Sequence, residues 1–166
     1  MPDSDLSARD PGGRPVPGWR CRRDSAWDAP GIEQFLRVTT IPVRLACLTA
    51  SGAPLVCSLW YLYADGALWC ATQASARIVA LLAREPRCGV EVAGDLPPYR
   101  GVRGQGLAAI DAAAGAAVLP QLIDRYLGSR ESAFGRWLMA RQADEVAIRI
   151  EPDWLTAWDY SRRMGS

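Results

Sequence analysis

Thr72, Ser75 and Arg77 are the residues of this chain best spaced to do chemistry. They follow an apolar run, Leu68 to Ala71. They lead into a segment whose apolar positions, Ile78, Leu81 and Leu82, recur at helical spacing. A strand that hands over to a helix presents unpaired N–H groups and the positive end of the helix dipole. Two hydroxyls and a planar guanidinium at that junction make a phosphate cradle. The same residues also fit a plainer reading: Ser75 as the N-cap that opens the helix, and Arg77 as a solvated side chain. The helix is expected to stop before Glu85-Pro86, because the residue preceding proline is pushed out of helical geometry.

Other chemistries are excluded by what the chain lacks. It has no histidine, and all nineteen of its basic residues are arginine. No Ser-His-Asp or Cys-His unit can be assembled within it, nor a lysine Schiff base or a P-loop lysine. Histidine-ligated zinc, iron and haem are excluded as well. The net charge is +1, which leaves no electrostatic footprint for nucleic acid or an anionic membrane. The five cysteines, Cys21, Cys47, Cys57, Cys70 and Cys88, are odd in number and form no C-x-x-C pair. Four lie in apolar, strand-like runs and read as buried thiols of a reducing compartment, which points to the cytoplasm. No run is long and apolar enough for a bilayer, and the polar N-terminus does not read as a signal peptide.

The elements that must position the cradle follow from periodicity. At 166 residues the chain suits one domain. Residues 1–29, rich in Pro, Gly, Asp and Arg, read as a flexible tail, although Trp19 and Trp27 each need cover. A short helix is expected over Gly31–Thr39 and a strand over Arg44–Thr49. A long strand follows from Leu55 to Tyr63. Asp65-Gly66 then makes a tight hairpin into the strand that carries Leu68 to Ala71. Arg87–Ala93 and Arg100–Ile110 are further strands, the second rich in glycine, which marks a bulge or a close approach. Two helices, Ala113–Leu127 and Glu131–Arg141, precede the alternating strand Glu145–Glu151, and Pro120 is expected to set the true start of the first. Trp60, Trp69 and Trp137 are read as packing residues. Six short strands with flanking helices predict a mainly β fold built on a small barrel.

The chain resembles the pyridoxamine 5′-phosphate oxidase-like superfamily, the FMN-binding split β-barrels. The likeness is carried by R-L-A-C-L-T-A-S-G (Arg44 to Gly52), P-x-x-x-x-x-W (Pro54 to Trp60) and D-G-x-L-W-x-A-T (Asp65 to Thr72). The helix with Ser75 and Arg77, V-R-G-Q-G-x-A (Val102 to Ala108) and R-Y-L-G (Arg125 to Gly128) continue it. The resemblance covers residues 30–160 and implies a homodimeric, six-stranded split β-barrel over residues 30–166, with cofactor sites at the subunit interface. It places the FMN phosphate on Thr72, Ser75 and Arg77. It runs the strand Val56, Cys57, Ser58 and Leu59 along the ring edge, and brings Arg103 or Gln105, and Trp154 or Trp158 of the other subunit, within reach.

The chain also departs from the oxidases proper. Their arginine- and lysine-bearing strand reads V-C-S-L-W-Y here, and Gly101 stands where they carry glutamine. Their C-terminal arginine–histidine pattern has no counterpart. The resemblance therefore implies an FMN-binding oxidoreductase acting on a small molecule, and not vitamin B6 oxidation. A deazaflavin-dependent reductase of the same fold is the second reading. A flavin-binding carrier or sensor without turnover is a third.

Overall fold

Asp65 and Gly66 both adopt positive φ, 52° and 74°, and join Leu62–Ala64 to Ala67–Gln73 in the tight hairpin that an Asp-Gly pair favours. The computed structural model describes residues 18–165, and this hairpin is part of an eight-stranded sheet. The strands are β1 (Arg20–Cys21), β2 (Val43–Leu48), β3 (Pro54–Leu59), β4 (Leu62–Ala64), β5 (Ala67–Gln73), β6 (Arg87–Ala93), β7 (Arg100–Asp111) and β8 (Glu145–Asp159). The helices are α1 (Ala29–Val38), α2 (Arg77–Arg84), α3 (Gly115–Leu127), α4 (Ala133–Met139) and α5 (Ser161–Met164).

The sheet order is β3-β2-β6-β7-β8-β5-β4, antiparallel throughout, with β1 added in parallel to β8. β3 and β4 end that path, yet only Trp60 and Tyr61 separate them in the chain. The sheet therefore curls until its ends meet, and the barrel is split where the chain passes from β3, paired with β2, to β4, paired with β5. The single strand expected from Leu55 to Tyr63 is thus two, which accounts for one of the two strands beyond the six expected. The break is built by side chains. Tyr61 is fully buried and donates to the Leu36 carbonyl at 2.9 Å, while Trp60 stacks on Tyr126 at 5.0 Å.

The other additional strand is β1, from the stretch expected to be a tail. Residues 1–17 lie outside the described residues; Gly18–Asp28 lie against the sheet. Trp19 is buried, and its indole N–H donates to the Tyr63 hydroxyl at 2.8 Å; that hydroxyl donates onward to Glu33 at 2.9 Å. A buried indole needs such a partner.

The core fills the barrel with residues such as Val43, Leu45, Leu68, Ile148, Ile150 and Leu155, and takes α1 and α2 onto its flanks through Ile32, Leu36, Ile78 and Leu82. Cys47, Cys70 and Cys88 sit in it as free thiols. Burial pushes the Cys88 thiol up to about 12, which leaves it inert as a nucleophile. The glycines of β7 serve close approach, as expected. A Cβ on Gly104 would strike the Trp154 carbonyl, and one on Gly106 the Glu151 carbonyl, beside the register shift at Gln105/Gly106. Pro120 lies inside α3 and does not start it. Its missing N–H leaves the Ala116 carbonyl free, and the Gln142 side-chain amide donates to that oxygen.

Candidate functional site

The cleft lies beside the split. β3 supplies Ser58 and Leu59, β5 supplies Ala71, Thr72 and Gln73, and α3 and α4 close the far side; the cavity is about 290 Å³. β3 has one hydrogen-bonded neighbour among the described strands, so its other edge keeps unpaired backbone donors and acceptors. Alternation along β3 turns Val56 and Ser58 outward, both exposed, and turns Cys57 and Leu59 toward the core. Cys57 settles there, with its thiol on the Leu45 carbonyl at 3.8 Å.

The residues singled out in the sequence separate into three places. Ser58, Leu59 and Thr72 line the cleft. Ser75 lines a neighbouring hollow with Asp144 and Glu145. Ser75 does not open α2. A turn closed by Ala76 N–H on the Gln73 carbonyl at 2.9 Å delays the helix, so Ala76 is its N-cap, with extended backbone and no side-chain bond. Arg77 is the first residue of α2. It is exposed and in no ion pair among the described residues.

The rest share the outer face of the sheet. The pairing aligns Val56, Ala46, Gly89, Gln105 and Trp154 in one row, and Ser58, Arg44, Glu91, Arg103 and Thr156 in the next. Arg103 lies over the Trp158 ring at 5.5 Å. Two strands separate β3 from β7, about 14 Å at the usual strand spacing, so one chain does not bring these residues to the cleft. Val56 stands 62% exposed on this face beside the small residues Ala46 and Gly89.

The helical wall of the cleft was missed as a site. Phe134, Trp137 and Leu138 of α4 line it with Arg141 and Glu145. Trp137, read as a packing residue, is half exposed there. The signal was present: Phe134, Trp137 and Arg141 recur at intervals of three and four, one face of a helix. Glu145 is buried, and that burial raises its carboxyl above the ordinary range, against the opposing pull of Arg141 and a hydrogen bond from Gln73.

The barrel is split at one side, with Ser58, Thr72 and Gln73 on the strand wall of the cleft and Phe134 and Trp137 on its helix wall. The fold resembles that of the pyridoxamine 5′-phosphate oxidase-like superfamily. A conserved hypothetical protein from Mycobacterium tuberculosis aligns over 87% of this chain and 92% of its own, with 25% identity and a TM-score of 0.71. A structure described as an F420 reductase aligns over 76% of this chain and 96% of its own, at 24% identity and a TM-score of 0.64. A Listeria innocua protein assigned as a pyridoxamine 5′-phosphate oxidase aligns over 77% and 93%, at 15% identity and a TM-score of 0.56. No family model matches the chain, and no curated protein matches it.

Proposed function

We propose that the chain is a flavin-dependent oxidoreductase that binds FMN, two copies of the barrel forming the complete site. The observation that carries this reading is the cleft at the split, where Ser58 and Leu59 of the terminal strand β3 and Thr72 of β5 line one cavity. The donor types suit a phosphate, with Thr72 in the cleft and Ser75 in the hollow beside it. Thr72 and Ser75 offer hydroxyls, and Arg77 offers a guanidinium without an ion-pair partner among the described residues. The backbone edge at Val56 to Leu59 would meet the polar rim of the ring, as strand edges do. Arg103, Gln105 and Trp158 would reach it from the second copy, seated on the open outer face where Val56 is exposed.

Bound FMN supplies the hydride or electron chemistry, which suits a chain without histidine. The chain's own part is to hold the phosphate and orient the ring. A deazaflavin in the same cradle is the second reading, supported by the likeness to an F420 reductase.

The absorbance of freshly purified protein is the first test: a flavin spectrum supports FMN, whereas a colourless protein that shifts deazaflavin fluorescence supports the second reading. Arg77→Ala should weaken FMN binding by about 1–3 kcal/mol, the scale of a charge-assisted contact. An unchanged affinity removes Arg77 from the site.

A further inference from the structure

The reading above uses the strand side of the cleft and leaves the helix side unexplained. Phe134 and Trp137 lie there with nearly parallel rings, 14° apart in tilt and 5.7 Å between centroids, and each is half exposed. Arg141, the next residue on that face, lies over the Trp137 ring at 4.6 Å and is in no ion pair among the described residues. Trp60 meets Phe134 edge-on at 6.3 Å and is backed by Tyr126, which closes one end of the wall. Leu119, Leu122 and Leu138 line the cavity between them.

The wall is held in place. Ser132 caps α4 by accepting from the Gly135 N–H at 2.9 Å, and a Cβ on Gly135 would press on the Arg130 carbonyl at 2.7 Å. Arg130 in turn grips Asp124 of α3 through two nitrogens. These contacts hold the α4 backbone from which both rings reach the cavity. Two large aromatic faces kept half in water beside a cavity forgo burial that a flat ligand would restore. Arg141 offers donors to an anion, and the buried Glu145 lines the same cavity.

We infer that the α4 wall binds a planar aromatic second substrate bearing an anionic substituent, its ring against Phe134 and Trp137 and its anion at Arg141. The word substrate rests on the oxidoreductase reading; the binding itself does not. Anthraquinone sulfonate is a suitable probe, being flat, aromatic and anionic. Equilibrium dialysis against the full chain should show saturable binding. Trp137→Ala and Phe134→Ala should each weaken it about tenfold or more. Arg141→Gln should weaken anthraquinone sulfonate several-fold while leaving uncharged menadione unchanged. FMN titrated into the same variants should bind as it does to the parent chain.

Absent saturation, or anthraquinone affinity equal to the parent's in both α4 aromatic variants, overturns the inference. So does loss of FMN binding in those variants with anthraquinone retained, which would assign the wall to the cofactor. Anthraquinone held by a chain that takes up no FMN would overturn the cofactor reading and leave the wall standing. Both substitutions remove half-exposed side chains, and circular dichroism confirms folding; Phe134→Ala decides the matter if Trp137→Ala does not fold.

Discussion

At the end of α1, Arg125 donates to the carbonyls of Leu36, Arg37 and Thr39, and Tyr61 donates to Leu36 as well. Tyr126 joins the same seam, donating to the Ile41 carbonyl at 3.3 Å and accepting from the Tyr61 N–H. Just past α4, by contrast, Arg141 lies on Trp137 with no carboxylate or carbonyl bonded to its guanidinium, and the ring beneath is half exposed. Both regions use arginine beside aromatic rings. In the seam the helix leaves C-terminal carbonyls that need donors, and the arginine answers a structural demand. In the cleft no such demand exists, and the same pairing stays open to a ligand. The difference teaches that the partners of an arginine, and not its aromatic company, tell support from recognition.

The contrast breaks most readily at Arg125. Arg125→Ala should destabilise the fold by about 2–4 kcal/mol, since several charge-assisted bonds to α1 vanish together. Urea denaturation measures this, and a loss under about 0.5 kcal/mol would mean that water serves those carbonyls equally well. Tyr61→Phe should cost about 1 kcal/mol, because the Leu36 carbonyl keeps its bond from Arg125. A larger loss than that of Arg125→Ala would reverse the order of the two partners in the seam.

Trp137→Ala should cost less than about 1 kcal/mol, as a half-exposed ring has little burial to lose. A greater loss would make the α4 wall part of the core and narrow the contrast. The smallest expected effect is a dependence on pH at Glu145. Burial raises its carboxyl, so the folded chain holds this proton more tightly than the unfolded chain does. That contribution is fully present below the ordinary carboxylate range and is lost as pH rises through the folded value. The Tm of the parent chain relative to Glu145→Gln should therefore fall as pH rises above the ordinary carboxylate range. A flat difference would place the carboxyl in water.

The fold was legible in the sequence where local chemistry decides it. Asp65-Gly66 fixed a hairpin because both residues accept positive φ, and the glycines of β7 announced crowding against β8. The break at Trp60-Tyr61 was not legible, because an unbroken apolar run looks the same whether or not its two halves pair with different strands. Pro120 misled for a related reason. The amide that repairs the helix comes from Gln142, twenty-two residues on, and no local pattern shows it. Of the cleft, Thr72 was singled out by its spacing and Ser58 and Leu59 through the family resemblance, whereas Arg141 and Glu145 come to line it only once β8 pairs with β5 and α4 packs on α3.

The dipeptide that joins the two ends of the sheet has a mechanical consequence. Among the described residues no ladder of backbone bonds crosses that gap, and the indole of Trp60, stacked on the Tyr126 ring, stands beside it as a spacer. Exchanging that one side chain for a slimmer one would retune the width of the slot while every strand pairing in the molecule stayed as it is.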